Sequence, residues 1–486
     1  MRVKAKRFAE DDGGGPCRMT APHQWTAQEC AVRVGQRSTQ ATEVAVHFIE
    51  RVTRINPSIN ALVQFRPDDV LRQAREVDAR IDAGEHLPMA GVAVTVKDNL
   101  WVEAYTVTQG SRLFKDFVAP RDAWVVQRLR ALGAVVLGIT NCSEFACKGA
   151  TDNLVYGTTR HPEDLKRTPG GSSGGAVAAL ASGLGLLALG TDAGGSVRRP
   201  AAHTALVGHK PSQGLVPNPW GFGEPNYGVS VVGLLAKNVA DCAWFFDQVG
   251  DFDGSDASAP PLPVDWQALQ CSLRAPSKDV RIAWSPRLGC GFAIDADIRL
   301  AIEQVVDRLA SAGWNVAQAD PPWGESVSTY PMDALQHAGL HALHGRALQA
   351  ATTEIDPHLK AQIESGALKS ASDRASVLRA RDRIQRDLGT FFSNFDLLLC
   401  PTVPVIPWDN TSIAPTHVEG RTAGLRDHAV FTPLFNLCGV PACSVPVATV
   451  RGFPVGLQIV APRFQDPLVF AFAGLTERLL ARSSTV

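Results

Sequence analysis

The sequence predicts an α/β protein: one large domain with a central twisted mixed β-sheet and helices on both faces. Three observations point there. Short apolar runs of strand length, such as "GVAVTVK", "AVVLGIT" and "DLLLCP", recur along the chain. They alternate with amphipathic segments of helical period, the pattern of a largely parallel or mixed sheet. Apolar strand candidates also stand near both ends, too apolar to fold independently, which favours one interwoven domain over two.

In chain order, Ser38 to Ile55 places Val44, Phe48, Val52 and Ile55 on one helical face, with Pro57 expected just past its end. "NALVQF" is a short strand, and a charged helix follows from about Asp68 to Ala83. In "GVAVTVKDNL" Val92, Val94 and Val96 alternate, giving a strand that ends at Lys97. "RDAWVVQRLRALG" is an amphipathic helix stopped by Gly133, and "AVVLGIT" a buried strand. Ala176 to Ser182 is helical by composition, and "LGLLALGTD" returns as a strand. Asp251 to Pro263 reads as a loop from its Asp, Ser and Pro content. Residues 266–395 are richer in helix, most clearly at Ile294 to Ala312 and Ser370 to Phe392. "DLLLCPTVP" and "PVGLQIVAP" are buried strands, and a last helix covers Pro467 to Ala481.

Composition narrows the function. The 486 residues are 45% hydrophobic and 20% charged, with a formal net charge of −1. Neither nucleic acid nor an anionic membrane would find a basic surface to bind. The longest apolar run, Ala176 to Leu189, is broken by Gly183 and Gly185 and falls short of the roughly 18 residues of a membrane helix. Ten cysteines in so long a chain make no disulfide framework, and none forms a CxxC pair. Reduced cysteines in a cytoplasmic protein are expected. The polar, glycine-rich residues 1–18 read as a disordered tail without a secretory core, leaving 19–486 as the domain. No ligand cluster suggests a metal or cofactor.

The stretch "TPGGSSGGAVAAL" (Thr168–Leu180) admits four readings. A flexible linker would be solvated between autonomous blocks, whereas this one enters an apolar helix between strands. A Walker loop needs GK[ST] after the glycines, but Gly175 is followed by Ala176 and Val177. Gly170 to Gly174 satisfies G-x-S-x-G, yet the polar "HPEDLKRTP" before it is not the strand a nucleophile elbow requires. The fourth reading comes from "GTDAGGSVRRPAA" (Gly190–Ala202), where two glycines precede Ser196 as a strand gives way to a helix-like segment. Glycines there let successive N–H groups converge on one oxygen, next to a serine able to attack the carbonyl that carries it.

These elements, in this order, resemble the amidase signature family. "GVAVTVKDNL" is similar to its lysine strand, and the two glycine–serine stretches to its two serine elements, at intervals of 75 and 24 residues. "RDAWVVQRLRALGAVVLGITNCSEF", "LVGHKPSQGLVP", "PLFNLCGVPACSVPV" and "GFPVGLQIVAP" resemble the flanking core, so the likeness runs from about Trp25 to the C-terminus. The resemblance implies the amidase-signature fold and a cofactor-free hydrolase. Lys97 would be the base, Ser172 the bridging serine after a cis peptide bond from Gly171, and Ser196 the nucleophile. The N–H groups of Ala193, Gly194, Gly195 and Ser196 would hold the oxyanion. Ala146, Cys147, Lys148 and Gly149 would line the leaving-group side, with Tyr156 a further substrate-binding candidate.

The residue types suit amide hydrolysis. A neutral serine needs an adjacent base, and lysine can serve only if burial or nearby positive charge brings its pKa down from roughly 10.4. Lys97 ends a Val-rich strand, a place for desolvation; the competing fate is a strand-end lysine reaching into water. Ser173 is expected as a helix N-cap. Asp192 and Arg198 bracket the nucleophile as a structural ion pair. Arg199 departs from the family pattern and either anchors a substrate carboxylate or faces solvent. "NPWGFGEPNYG" carries Trp220, Phe222 and Tyr227, which either cover an aryl or acyl group as a lid or close the fold as a surface cluster. Specificity is expected in the 325–395 stretch, where family members vary most. The expected activity is cleavage of small, mostly neutral amides, anilides or carbamates, with some esters, by a monomer or homodimer. The alternatives are the A-type glutaminase component of a tRNA-dependent amidotransferase, a non-catalytic relative, and a histidine-based α/β-hydrolase.

Overall fold

A computed structural model describes residues 20–250, 254, 256, 258–259, 277–324, 327, 330–350 and 354–482. The expected tail and most of the 251–263 loop lie outside the described residues.

The strands are β1 (Leu62–Gln64), β2 (Ala93–Lys97), β3 (Val135–Thr140), β4 (Leu187–Asp192), β5 (Val207–Lys210), β6 (Val231–Ala236), β7 (Ile282–Trp284), β8 (Val316–Gln318), β9 (Leu397–Pro401), the small hairpin β10 (His417–Val418) and β11 (Arg421–Thr422), β12 (Ala442–Val450) and β13 (Phe453–Val460). All but the small hairpin form one mixed sheet in the order β1-β3-β2-β4-β6-β5-β12-β13-β9-β7-β8. β3, β2 and β4 run parallel, and so do β9, β7 and β8, with antiparallel pairs between the two groups. The C-terminal hairpin β12–β13 thus sits inside the sheet, bridging strands from the first half of the chain to those from the middle. One buried apolar cluster extends from Trp25 to Ala473 across these strands, so neither half has a core of its own.

The valine-rich strand ending at Lys97 is β2, and all five of its residues are buried. A parallel strand flanked by β3 and β4 and covered by helices has no solvent face. The 121–133 helix spans Trp124–Ala131. Gly133, at φ +94°, turns the chain so that its own N–H and that of Ala134 bond back to Arg130 and Leu129. One boundary differs: the second helix runs Ala41–Ile59 with Pro57 inside its last turn. The turn survives the lost N–H because Asn60 closes it in a left-handed conformation and bonds back to Asn56. The Asn56 side chain also accepts from the N–H groups of Ala61 and Leu62. Within 266–395 the described helices are Ala296–Ser311, Asp333–Ala350, Pro357–Ala367 and Ala371–Phe391, with β7 and β8 between the first of them and its neighbours. No helix among the described residues is long and apolar enough to cross a membrane.

The helix Gly174–Ala181 starts against the end of β3. A Cβ on Gly175 would lie 2.4 Å from Asn141 N and 2.5 Å from its carbonyl oxygen. Gly175→Ala is therefore expected to lose about 1–3 kcal/mol of stability. Gly389→Ala, in an open helix position, is expected to gain up to about 1 kcal/mol. Urea unfolding of both variants checks the contrast.

Candidate active site

β2 and β4 are parallel neighbours in register, Val96 beside Leu189, so their carboxyl ends deliver two loops to one place. Lys97 closes β2 and is fully buried. Its Nζ donates to Ser172 Oγ at 2.8 Å and to Thr191 Oγ1 at 3.0 Å, with the Thr191 carbonyl at 3.5 Å. Thr191 is held in turn by Asn99 Nδ2 at 2.8 Å. Burial lowers the Lys97 ammonium to about 8. Arg199 pushes the same way, against Cys142, Asp192 and Cys147.

Ser172 is fully buried, and the Gly171–Ser172 peptide bond is cis. Ser196 is 6% exposed and lines the same cleft as Ser172. The two serine segments are tied by the Ser173 N–H, which donates to the Ser196 carbonyl at 3.2 Å. Ser196 Oγ has no hydrogen-bond partner among the described residues. Ser173 stands at the N-cap of the 174–181 helix, but its buried hydroxyl bonds nothing. The expected side-chain cap is absent because Thr151 Oγ1 and the Asn141 carbonyl already take the Gly174 and Gly175 N–H groups.

The loop before Ser196 is fixed by Asp192 and Arg198, both fully buried. Arg198 Nε meets Oδ2 at 3.0 Å and Nη2 meets Oδ1 at 2.9 Å. Arg198 also reaches the Thr432 carbonyl, Gln458 Oε1 and Asn436 Oδ1. Burial alone would raise the Asp192 carboxyl; the charge and hydrogen bonds of Arg198, with Asn436, hold it well below the usual carboxylate range. Asp192 Oδ1 also accepts the Gly195 N–H at 2.7 Å. That corrects one expectation, since a committed N–H cannot face an oxyanion. The N–H groups of Ala193, Gly194 and Ser196 have no partner among the described residues. Gly195 has φ +107°, and a Cβ there would lie 2.1 Å from Thr432 Oγ1.

The cleft is open on one side and, counting its solvent-filled mouth, spans about 650 Å³. Ala146, Trp220 and Phe222 line it, together with Trp101, Phe145 and Asn99, which the sequence does not single out. Phe222 packs against Phe117 (5.0 Å), Phe114 (5.1 Å) and Trp101 (5.7 Å) between ring centroids, and Trp220 Nε1 donates to the Asp122 carbonyl. Other candidates lie elsewhere. Tyr227 is 53% exposed, on the outer side of its loop. Lys148 is buried in ion pairs with Asp356 (2.7 Å) and Asp152 (2.9 Å), so its charge is already neutralised. Cys147 turns its thiol to the Phe145 carbonyl, and Gly149 is filled against His428. Tyr156 is half-buried beside Gln64. Arg199 is buried but is not among the residues lining the cleft. Thr191 and Trp101 do carry a sequence signal, standing inside the second glycine–serine element and four residues after Lys97.

The "Amidase" family model matches residues 43–470. This chain belongs to the amidase family. Its structure resembles a bacterial aryl acylamidase of the amidase signature family (TM-score 0.86, 26% identity, covering 95% of this chain and 97% of that one). It is also similar to 6-aminohexanoate cyclic dimer hydrolase (TM-score 0.84, 26% identity, 95% and 98%). An acylamidase of Rhodococcus erythropolis is 34% identical over 93% of this chain and 94% of its own length. The A subunit of glutamyl-tRNA(Gln) amidotransferase from Symbiobacterium thermophilum is 33% identical over 89% and 92%. The amidase-family chain thus has an amidase-signature fold of the α/β class and is a hydrolase acting on C–N bonds, as the sequence resemblance implied.

Removing Arg198 would leave Asp192 buried without its counter-charge. Arg198→Met in this amidase is expected to lose about 3–5 kcal/mol, read as a lower urea midpoint at unchanged slope.

Proposed function

We propose that this amidase hydrolyses small amides, anilides or carbamates through an acyl-enzyme on Ser196, without an obligatory protein partner. The observation carrying this reading is the 2.8 Å contact between Lys97 Nζ and Ser172 Oγ in a dry site, with the amine lowered to about 8. Neutral Lys97 takes the Ser172 proton as Ser172 takes that of Ser196. The freed Ser196 oxygen attacks the carbonyl carbon, and its oxygen becomes an oxyanion facing the N–H groups of Ala193, Gly194 and Ser196. On collapse the C–N bond breaks, and the proton returns through Ser172 to the departing nitrogen. Water then repeats the sequence on the acyl-enzyme, releasing the acid and restoring Ser196. The aromatic wall of Trp101, Trp220 and Phe222 suits an aryl or acyl group beside the scissile bond.

A second reading, the A-type component of a tRNA-dependent amidotransferase, draws on the similarity to such proteins. It requires a second protein for glutaminase activity. The purified chain splitting an anilide unaided favours the first reading; dependence on a partner favours the second.

Ser196→Ala is expected to lower turnover of an anilide at least about 10³-fold and to abolish labelling by a fluorophosphonate, whose adduct maps to Ser196 in the parent protein. Retained turnover or an adduct elsewhere contradicts the mechanism. Because only neutral Lys97 accepts a proton, kcat/KM is expected to rise about tenfold per pH unit below about 8 and then level off. A pH–rate profile checks the direction and the midpoint.

A further inference from the structure

Arg199 lies three residues after Ser196, next to the fully engaged Arg198, and its guanidinium has no hydrogen-bond or ion-pair partner among the described residues. The side chain is 5% exposed, its Nε and Nη1 have no hydrogen-bond partner, and no carboxylate of the described residues pairs with it. The nearest acid on its own segment, Asp192, is committed to Arg198. Burial lowers the guanidinium only to about 10, so it stays cationic near neutral pH. Arg426 adds charge of the same sign from across Tyr330, its guanidinium lying 4.4 Å above the Tyr330 ring. A buried cation without an anion or acceptor is costly to keep, and native chains ordinarily supply a partner.

Its position tells what the partner is. A Cβ on Gly195 would lie 2.8 Å from Arg199 Nε, and one on Gly194 would lie 2.9 Å from the Tyr330 hydroxyl. The guanidinium therefore presses on the loop whose N–H groups precede Ser196. Arg199 is not itself a cleft-lining residue, so the group it binds has to reach past this glycine loop to meet it. A planar fork of donors suits a carboxylate above other anions of similar size.

We propose that Arg199 binds a carboxylate carried by the substrate within a few atoms of the scissile carbonyl, so that the preferred substrates are anionic amides. This rests on the hydrolase reading above and replaces its expectation of mostly neutral substrates. The carboxylate belongs either to the acyl part, as in the half-amide of a dicarboxylic acid, or to the amine part, as in an N-acyl amino acid or aminobenzoate.

The test uses the purified full chain and two matched pairs: butyranilide against succinanilic acid, and acetanilide against 2-acetamidobenzoate. In one pair the carboxylated member is expected to have at least tenfold higher kcat/KM, and the preferred pair identifies the side. The ratio is expected to fall towards one in Arg199→Met, with Arg199→Gln as the alternative should that variant not fold by thermal melting. A wild-type ratio at or below one in both pairs overturns the proposal, as does a preference that survives these substitutions. Turnover of neutral anilides without a gain from carboxylate sinks only the anion site. Turnover of none of the four sinks the hydrolase reading instead.

Discussion

Lys97 Nζ stands at the end of a strand buried on both faces, and a lysine there persists only if it sheds its proton readily or finds partners. Both conditions are met by the same arrangement. The parallel pairing of β2 with β4 seals the amine from water and places Thr191 beside it. The Gly170–Gly175 turn brings Ser172 to its other side. Sealing lowers the amine, and the two hydroxyls are what it can still bond. The sheet order matters because any exposed edge at β2 would hydrate the amine and restore an ordinary ammonium.

The second constraint is electrostatic order on the loop that carries Ser196. Asp192 and Arg198 are fully buried and almost fully satisfied, and their partners Thr432, Asn436 and Gln458 come from the last quarter of the chain. The buried pair pins the loop, while Gln458 of the C-terminal hairpin and Thr432 and Asn436 just before that hairpin pin the pair. Asp192 also takes the Gly195 N–H, leaving its neighbours' donors uncommitted. Arg199, one residue further on, is also buried, though not fully, and shares none of these partners. Of two adjacent arginines, one thus holds the scaffold and the other is buried without a hydrogen-bond partner at Nε or Nη1.

Much of this is legible in the residues. β2, β3, β4, β9 and β13 are continuous apolar runs bounded by turns, a signal that survives without tertiary context. β5 reads "VGHK", and β7 and β8 have three residues each, so only their neighbours in the sheet define them. Lys97, Ser172 and Ser196 stand inside recognisable elements at fixed intervals. Sequence order misplaces Lys148, because its ion partner Asp356 arrives from 208 residues away. Loop composition groups Tyr227 with Trp220 and Phe222 but says nothing about which ring turns inward. Phe145 and Asn99 reach the cleft through backbone turns, including φ +50° at Phe145, that no periodicity encodes.

The dry, proton-accepting amine at position 97 is the claim on which the chemistry stands. Selective ¹³C labelling at lysine Cε, with Lys97→Met to assign the signal, titrates that amine directly. Burial also lowers Lys237 to about 8 and Lys210 to about 7, so the account predicts that the signal missing from the variant, and not merely one low signal, has its midpoint near 8. A Lys97 signal titrating with the solvent-exposed lysines, near or above about 10.4, would contradict it.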